Sequence, residues 1–155
     1  MNVKLRPIGA RDAAWLNSWL APVAADVDYE VDAEAPGAWL LERLGAEHGL
    51  RARIIAIGEH GAGVIVWREH APKRGTAIVE LVATPPEDAR LGAGMAAAAA
   101  VESVFREELV RVVYAPAPAV HGIAMYFWIR LGYRPLQRAE WPCERAGVAW
   151  LRREI

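Results

Sequence analysis

Three groups of residues in this sequence have types and spacings that could carry chemistry. The first is Arg90-Leu91-Gly92-Ala93-Gly94-Met95, which sets two glycines at the start of a helical pattern. The first amides of a helix lack internal partners and, with the helix dipole, favour an anion. Glycine lets the backbone approach a phosphate closely, so this loop suits a diphosphate; taken alone, it also fits a plain helix start. The second is Glu80, a carboxylate among Ile78, Val79, Leu81 and Val82. Burial there would raise its pKa into a range useful for a general base, whereas a strand glutamate on a solvated face would do nothing of the kind. The third is the alternation Asp26, Asp28, Glu30, Asp32, Glu34. On an extended segment these acids share one side. They would draw in a cation or form a solvated acidic loop. His121 is a further proton-transfer candidate, or a helix-capping histidine.

The elements that must position these groups follow from periodicity. Residues 3–8 read as a strand. Asp12 can cap a helix carrying Trp15, Leu16, Trp19 and Leu20 on one face, ended by Pro22. A second helix starts at Pro36 and carries Trp39, Leu40, Arg43 and Leu44. Runs at 52–57, 64–67 and 76–83, separated by glycine-bearing turns, read as an antiparallel meander. A long helix begins at Gly92, a strand spans 111–115, Pro116 and Pro118 break the chain, and a helix from His121 to Leu131 is closed by Gly132. A last strand covers 147–153. The order β-α-α-β-β-β-α-β-α-β predicts one layered α/β (α+β) domain over residues 1–155, with a mixed, mostly antiparallel sheet flanked by helices.

Composition narrows the function classes. The 155 residues are 54% hydrophobic with a formal net charge of -1. This argues against disorder and against a basic nucleic-acid-binding surface. One cysteine, Cys143, allows no internal disulfide and no cysteine-rich zinc site, and His48, His60 and His70 show no metal-ligand spacing, so no metal is expected. No apolar signal segment opens the chain, and the alanine-rich run near Met95–Val101 is too short to span a bilayer. The expected setting is cytoplasmic, away from membranes, as a monomer or a homodimer.

Two diphosphate-bearing ligands compete for the glycine loop. Gly92, Gly94 and Ala97 satisfy the dinucleotide pattern G-x-G-x-x-A. That pattern needs a strand directly before it and an acid at the end of the next strand. Here residues 84–91 intervene, and the next strand ends in Tyr114-Ala115-Pro116. Residues 81–95, Leu-Val-Ala-Thr-Pro-Pro-Glu-Asp-Ala-Arg-Leu-Gly-Ala-Gly-Met, resemble instead the strand-loop-helix of the GNAT acyltransferases, with its [QR]-x-x-G-x-[GA] loop. His121 to Tyr133 resembles that family's N-x-x-A-x-x-x-Y-x-x-x-G-[FY] helix, in the right order, and the resemblance runs from about Arg53 to Pro135. It implies a splayed strand pair, 76–83 and 111–115, holding acetyl-CoA. Val82, Ala83 and Thr84 would contact the pantetheine through main-chain groups, and the amides of Arg90, Leu91, Gly92, Ala93, Gly94 and Met95 would hold the diphosphate. It further implies an N-acyltransferase in which a small-molecule or peptide amine attacks the thioester directly, in a pocket shaped by the first two helices. Trp15, Trp19 and Trp39 would line that pocket or, at helical spacing, the core.

The sequence departs from the family at three places. Ala89 stands at the first loop position, with Arg90 one place later; His121 stands for the Asn; Trp128 stands for the Tyr that in the family lies near the sulfur and protonates the leaving thiolate. An indole N–H donates but does not titrate, and Tyr126 points from a different side of the helix. Trp128 is then a wall beside the pantetheine, and a CoA-binding protein without efficient catalysis is the rival reading. Calorimetry should show acetyl-CoA binding without NAD binding. Gly92→Glu, which adds bulk and negative charge beside a diphosphate, should abolish it.

Overall fold

The computed structural model describes residues 2–89, 91–120 and 122–155. Among them run β1 (Lys4–Pro7), α1 (Ala13–Asp26), α2 (Pro36–Ala46), β2 (Leu50–Ile57), β3 (His60–Glu69), β4 (Thr76–Ala83), α3 (Ala93–Glu107), β5 (Val112–Pro118), α4 (Gly122–Arg130), β6 (Arg134–Pro135) and β7 (Val148–Glu154). The strands form one seven-stranded sheet in the order β1-β2-β3-β4-β5-β7-β6. Every neighbouring pair is antiparallel except β4 with β5, which is parallel. The α/β class, the order of elements and the mixed sheet match the sequence expectation; β6 is additional.

The sheet is buried on both faces, which is why β2 and β3 read as near-continuous apolar runs. Side chains alternate across it. Ile54, Val64, Val66 and Leu81 face α1 and α2, packing with Leu16, Leu20 and Leu40. Ile55, Ile65, Trp67 and Val79 face the other way, against α3 and Trp128 of α4. The alanine run finds its use here, since Ala93, Ala97 and Ala98 let the α3 backbone lie close to the strands while Val101 and Phe105 fill the remaining space. Phe105 meets Trp67 edge-on at 5.8 Å.

Two proline expectations are corrected. Pro22 does not end α1, which continues to Asp26. A helix-interior proline costs about 3 kcal/mol, but Ala24 is fully buried and Val23 and Val27 pack on the same cluster, so tertiary contacts hold the last turn. Nor do Pro116 and Pro118 break the chain, since both lie within β5. The carbonyl of Trp150, opposite Pro116, accepts from Leu136 N on its other side. Pro116 is therefore a non-bonded pair with Trp150, and its polar edge faces away from β7. Pro118 shares that parity, so the missing N–H groups fall where no strand partner needs them.

Register explains the shape of β4. Pairing with β3 passes from Val66↔Leu81 to Trp67↔Val79, which leaves Glu80 as an extra residue on β4. Such a bulge bends its strand and interrupts the ladder. Near the end of β4, the Ala83 carbonyl oxygen lies so close to Gly63 that an added Cβ would collide with it. Gly63→Ala should therefore lower stability by about 1–3 kcal/mol in chemical denaturation; a midpoint equal to wild type would show that β4 yields freely at this place.

Candidate active site

The bulge and the end of β4–β5 pairing coincide. The parallel ladder holds Thr76↔Val112, Ala77↔Val113 and Ile78↔Tyr114 and then stops, while β5 stays paired with β7 through Pro118. Beyond Ile78 the two strands diverge, giving the splayed pair that the family resemblance implies. A cleft of about 560 Å³ occupies the opening, lined by Val82 and Thr84 of the β4 side, Pro116 and Pro118 of β5, Gly94 and Met95 of α3, and Phe127 and Trp128 of α4. The Ala83 carbonyl points to β3, so by strand alternation the main-chain N–H and C=O of Val82 face the opening.

At one end of this cleft α3 begins. Gly92 sits at φ +82 with open space where a side chain would be, a conformation that costs glycine nothing. Gly94 is closed in, since a Cβ there would touch Val82 at 3.4 Å and Phe127 at 3.6 Å. No side chain caps this helix and no acid lies in its first turn, so its leading amides have no side-chain partner to displace. Of the residues expected here, Val82, Thr84, Gly92, Gly94 and Met95 line the cleft. Ala83 and Ala93 are buried in the two cores, and Leu91 is exposed and outside the lining. Arg90 and His121 lie outside the described residues.

Trp128 is 5% exposed, and its Nε1 donates to the Pro116 carbonyl at 3.0 Å. The indole thus ties α4 to the one strand edge that proline stripped of donors. It also forms a wall of the cleft, with Phe127 and Tyr133 packed edge-on to it. Tyr126 is largely exposed on another face of α4.

Glu80 stands where this cleft meets a second one, of about 500 Å³, lined by Asp28, Tyr29, Glu30, Trp39, Arg43, Arg145 and Ala146. Its setting is not the apolar one expected from its sequence neighbours, because Val79 and Leu81 turn into the two cores. Oε1 accepts from Arg68 Nε at 3.2 Å. Oε2 accepts from the Tyr29 hydroxyl at 3.2 Å and lies 4.0 Å from Arg43 Nη2. Arg43 also donates to the Tyr29 hydroxyl at 2.9 Å and pairs with Glu47, which Arg68 reaches at 2.9 Å. Glu80, Tyr29, Arg43, Glu47 and Arg68 therefore form a closed polar ring. Burial and the nearby Glu80 charge push the Tyr29 phenol up to about 12. Hydrogen bonds from Arg43, then Arg68, hold Glu47 down at about 2.

The acidic run does not lie on one side, because it is not one extended segment. Asp26 ends α1 and reaches the first cleft, Asp28 and Glu30 line the second, and Asp32 caps its own turn by accepting from the Glu34 and Ala35 amides. Trp39 lines the second cleft and stacks under Arg43 at 4.7 Å, while Trp19 is buried in the core. Sequence reasoning missed Tyr29, Arg68 and Arg145. The only local signal was the Arg43–Glu47 spacing of four within one helical stretch. Among the described residues no group of three His, Cys, Asp or Glu side chains is placed to hold a metal, and no helix is long and apolar enough to cross a membrane.

No family model and no curated protein matches the sequence. Solved structures do match its fold. An acetyltransferase from Thermus thermophilus is 18% identical over 100% of this chain and 98% of that one, with a TM-score of 0.81. A GNAT-family acetyltransferase from Staphylococcus aureus is 12% identical over 99% of each chain, with a TM-score of 0.76. The N-acetylglutamate synthase of Neisseria gonorrhoeae, solved with coenzyme A and N-acetylglutamate, matches 99% of this chain with 35% of its own, at 13% identity and a TM-score of 0.77.

The polar ring has a definite acid response. The folded-state pKa of Glu47 lies below its ordinary value, so its contribution is complete above the usual glutamate range and is lost as pH falls towards about 2. Thermal unfolding between pH 6 and pH 2.5 should show a shallower acid decline for Glu47→Gln than for wild type, with the variant less stable at pH 6. Parallel curves would show that the ring adds nothing.

Proposed function

We propose that this chain, which has the fold of the GNAT acetyltransferases, transfers an acyl group, acetyl in the simplest case, from acyl-CoA to an amine. The observation that carries this reading is the cleft between the diverging strands, which runs from the uncapped start of α3 to Glu80. A protein of the same fold holds coenzyme A, and the residues here suit that ligand. The leading amides of α3, from Ala93 to Met95, have no competing acid and can take a diphosphate. Gly92 leaves room beside them. Val82 offers main-chain groups to an amide-bearing arm, and Phe127, Trp128, Pro116 and Pro118 give it an apolar bed. Arg90, next to the glycines, would add charge to the diphosphate end.

The donor supplies an activated thioester, whose carbon bonds to the amine nitrogen as the C–S bond breaks and sulfur keeps the electron pair. In this reading the Val82 N–H, facing the opening, would stabilise negative charge on the carbonyl oxygen. Glu80 accepts the amine proton, directly or through a water, and the Tyr29 hydroxyl orients its carboxylate. His121 is a second acceptor in the same reading. Asp26, Asp28 and Glu30 line the approach and favour an acceptor that arrives as a cation. No protein group is assigned to protonate the thiolate, which falls to water.

Trp128 favours one other reading, that of a CoA-binding protein with little turnover. Its indole is buried, committed to Pro116 and unable to act as an acid. Steady-state rates across pH, with CoA affinity by calorimetry, separate the two. Glu80→Gln should lower kcat by roughly 10²–10⁴-fold with CoA affinity nearly intact. Trp128→Tyr should keep binding and raise turnover if the missing acid limits the rate. Full activity with an unchanged pH profile in Glu80→Gln would remove Glu80 from the mechanism. CoA binding without turnover on any amine would select the second reading.

A further inference from the structure

We propose that the acceptor is a free amino acid, with its carboxylate on Arg145 and its amine turned towards Glu80; this rests on the acyl-transfer reading above. Arg145 lies in the segment between β6 and β7 and reaches across to the connection between α1 and α2. Its Nε donates to the Asp28 carbonyl at 3.1 Å, and its Nη2 donates to the same carbonyl at 2.6 Å and to that of Val27 at 3.3 Å. The guanidinium sits over the Tyr29 ring at 5.4 Å. These contacts fix its orientation without neutralising its charge. Arg43, which lines the same cleft, and Arg68 of β3 are both paired with Glu47 and Glu80. Arg145 has no ion-pair partner among the described residues, and its Nη1 has no protein acceptor there. Partial burial pulls its pKa below the ordinary arginine value, against the opposing pull of Glu80, Tyr29 and Asp28.

A half-buried, oriented guanidinium without an ion-pair partner is a setting in which an anion gains, and Nη1 is the nitrogen left to meet a carboxylate. The same cleft of about 500 Å³ carries Asp28, Glu30 and Glu80. It thus holds one cation without an ion-pair partner among the described residues, beside carboxylates, a charge pattern complementary to a small molecule bearing both an amine and an acid. A simple amine would leave Arg145 unanswered. A peptide amino terminus would bring an amide where the carboxylate belongs. Glu80 lines both clefts, so an amine beside it is also next to the opening between β4 and β5.

The test compares α-amino acids with their carboxamides and with the decarboxylated amines as acceptors of acetyl-CoA, in wild type, Arg145→Gln and Arg145→Lys. In wild type, kcat/KM for the preferred amino acid should exceed that for its amide at least about tenfold. Arg145→Gln should lower the amino-acid value about 10–100-fold, mainly through KM, and lower the amide value far less; Arg145→Lys should recover part of the loss. Amides as good as acids in wild type would overturn the assignment. So would an equal loss for both in Arg145→Gln, which would mark Arg145 as a support for the Val27–Asp28 backbone only. Calorimetry of the same amino acids, in the presence of CoA, separates this idea from the transfer reading. Binding abolished by Arg145→Gln without any turnover would sustain the site and sink the transferase reading. No amino-acid binding and no turnover with amino acids would overturn the site, whatever other amines are acetylated.

Discussion

One extra residue in one strand organises this molecule. Where β4 carries Glu80 against a single step of β3, the ladder on that side is disturbed, and on the other side the pairing with β5 has already ended at Ile78. A strand inside a sheet normally has both edges satisfied, and leaving them open is costly unless water or a ligand takes the bonds. Here the freed edges are reduced rather than tolerated. Proline stands at two of the gap-facing positions of β5, and Trp128 takes the carbonyl of one of them. What remains open is chiefly the edge of β4 around Val82, beside the uncapped start of α3.

The same residue marks a chemical boundary. Val82, Pro116, Phe127 and Trp128 make the opening between the strands largely apolar. On the far side of Glu80 the surroundings change to arginine, tyrosine and carboxylate. Partly buried charges of this kind are held only when their hydrogen bonds are shared out. The ring through Arg43, Tyr29, Glu47 and Arg68 does that for Glu80. It draws on the connection after α1, on α2 and its C-terminal end, and on β3. The geometry around the carboxylate therefore depends on α1, α2 and β3 docking together on one face of the sheet. Arg145, held by the Val27 and Asp28 carbonyls and lying over the Tyr29 ring, stays outside this ring.

Much was legible in the sequence, and for local reasons. Apolar spacing of three and four gave the helices, alternation and glycine-bearing turns gave the meander, and the glycines after Asp88 gave the uncapped helix start at the cleft. These depend on residues a few positions apart, where periodicity and turn chemistry act directly. The two proline readings went astray because a local breaking tendency was outweighed by distant partners. Ala24, Val23 and Val27 pack on the α1–α2 core beyond Pro22, and β7 bonds the residues on either side of Pro116.

The surroundings of Glu80 were not legible. In sequence it lies among apolar residues, and only the bulge and the alternation of faces turn Val79 and Leu81 away and bring Arg68 and Tyr29 in. Tyr29 and Glu80 are 51 positions apart, and Arg145 and Asp28 are 117 apart. The sequence by itself determined which segments become helices and strands and which helix start is free of acids. The tertiary structure alone decided where β4 bends and which charges are paired. Those outcomes depend on register between strands and on side chains meeting across the sheet, and no short-range pattern encodes either.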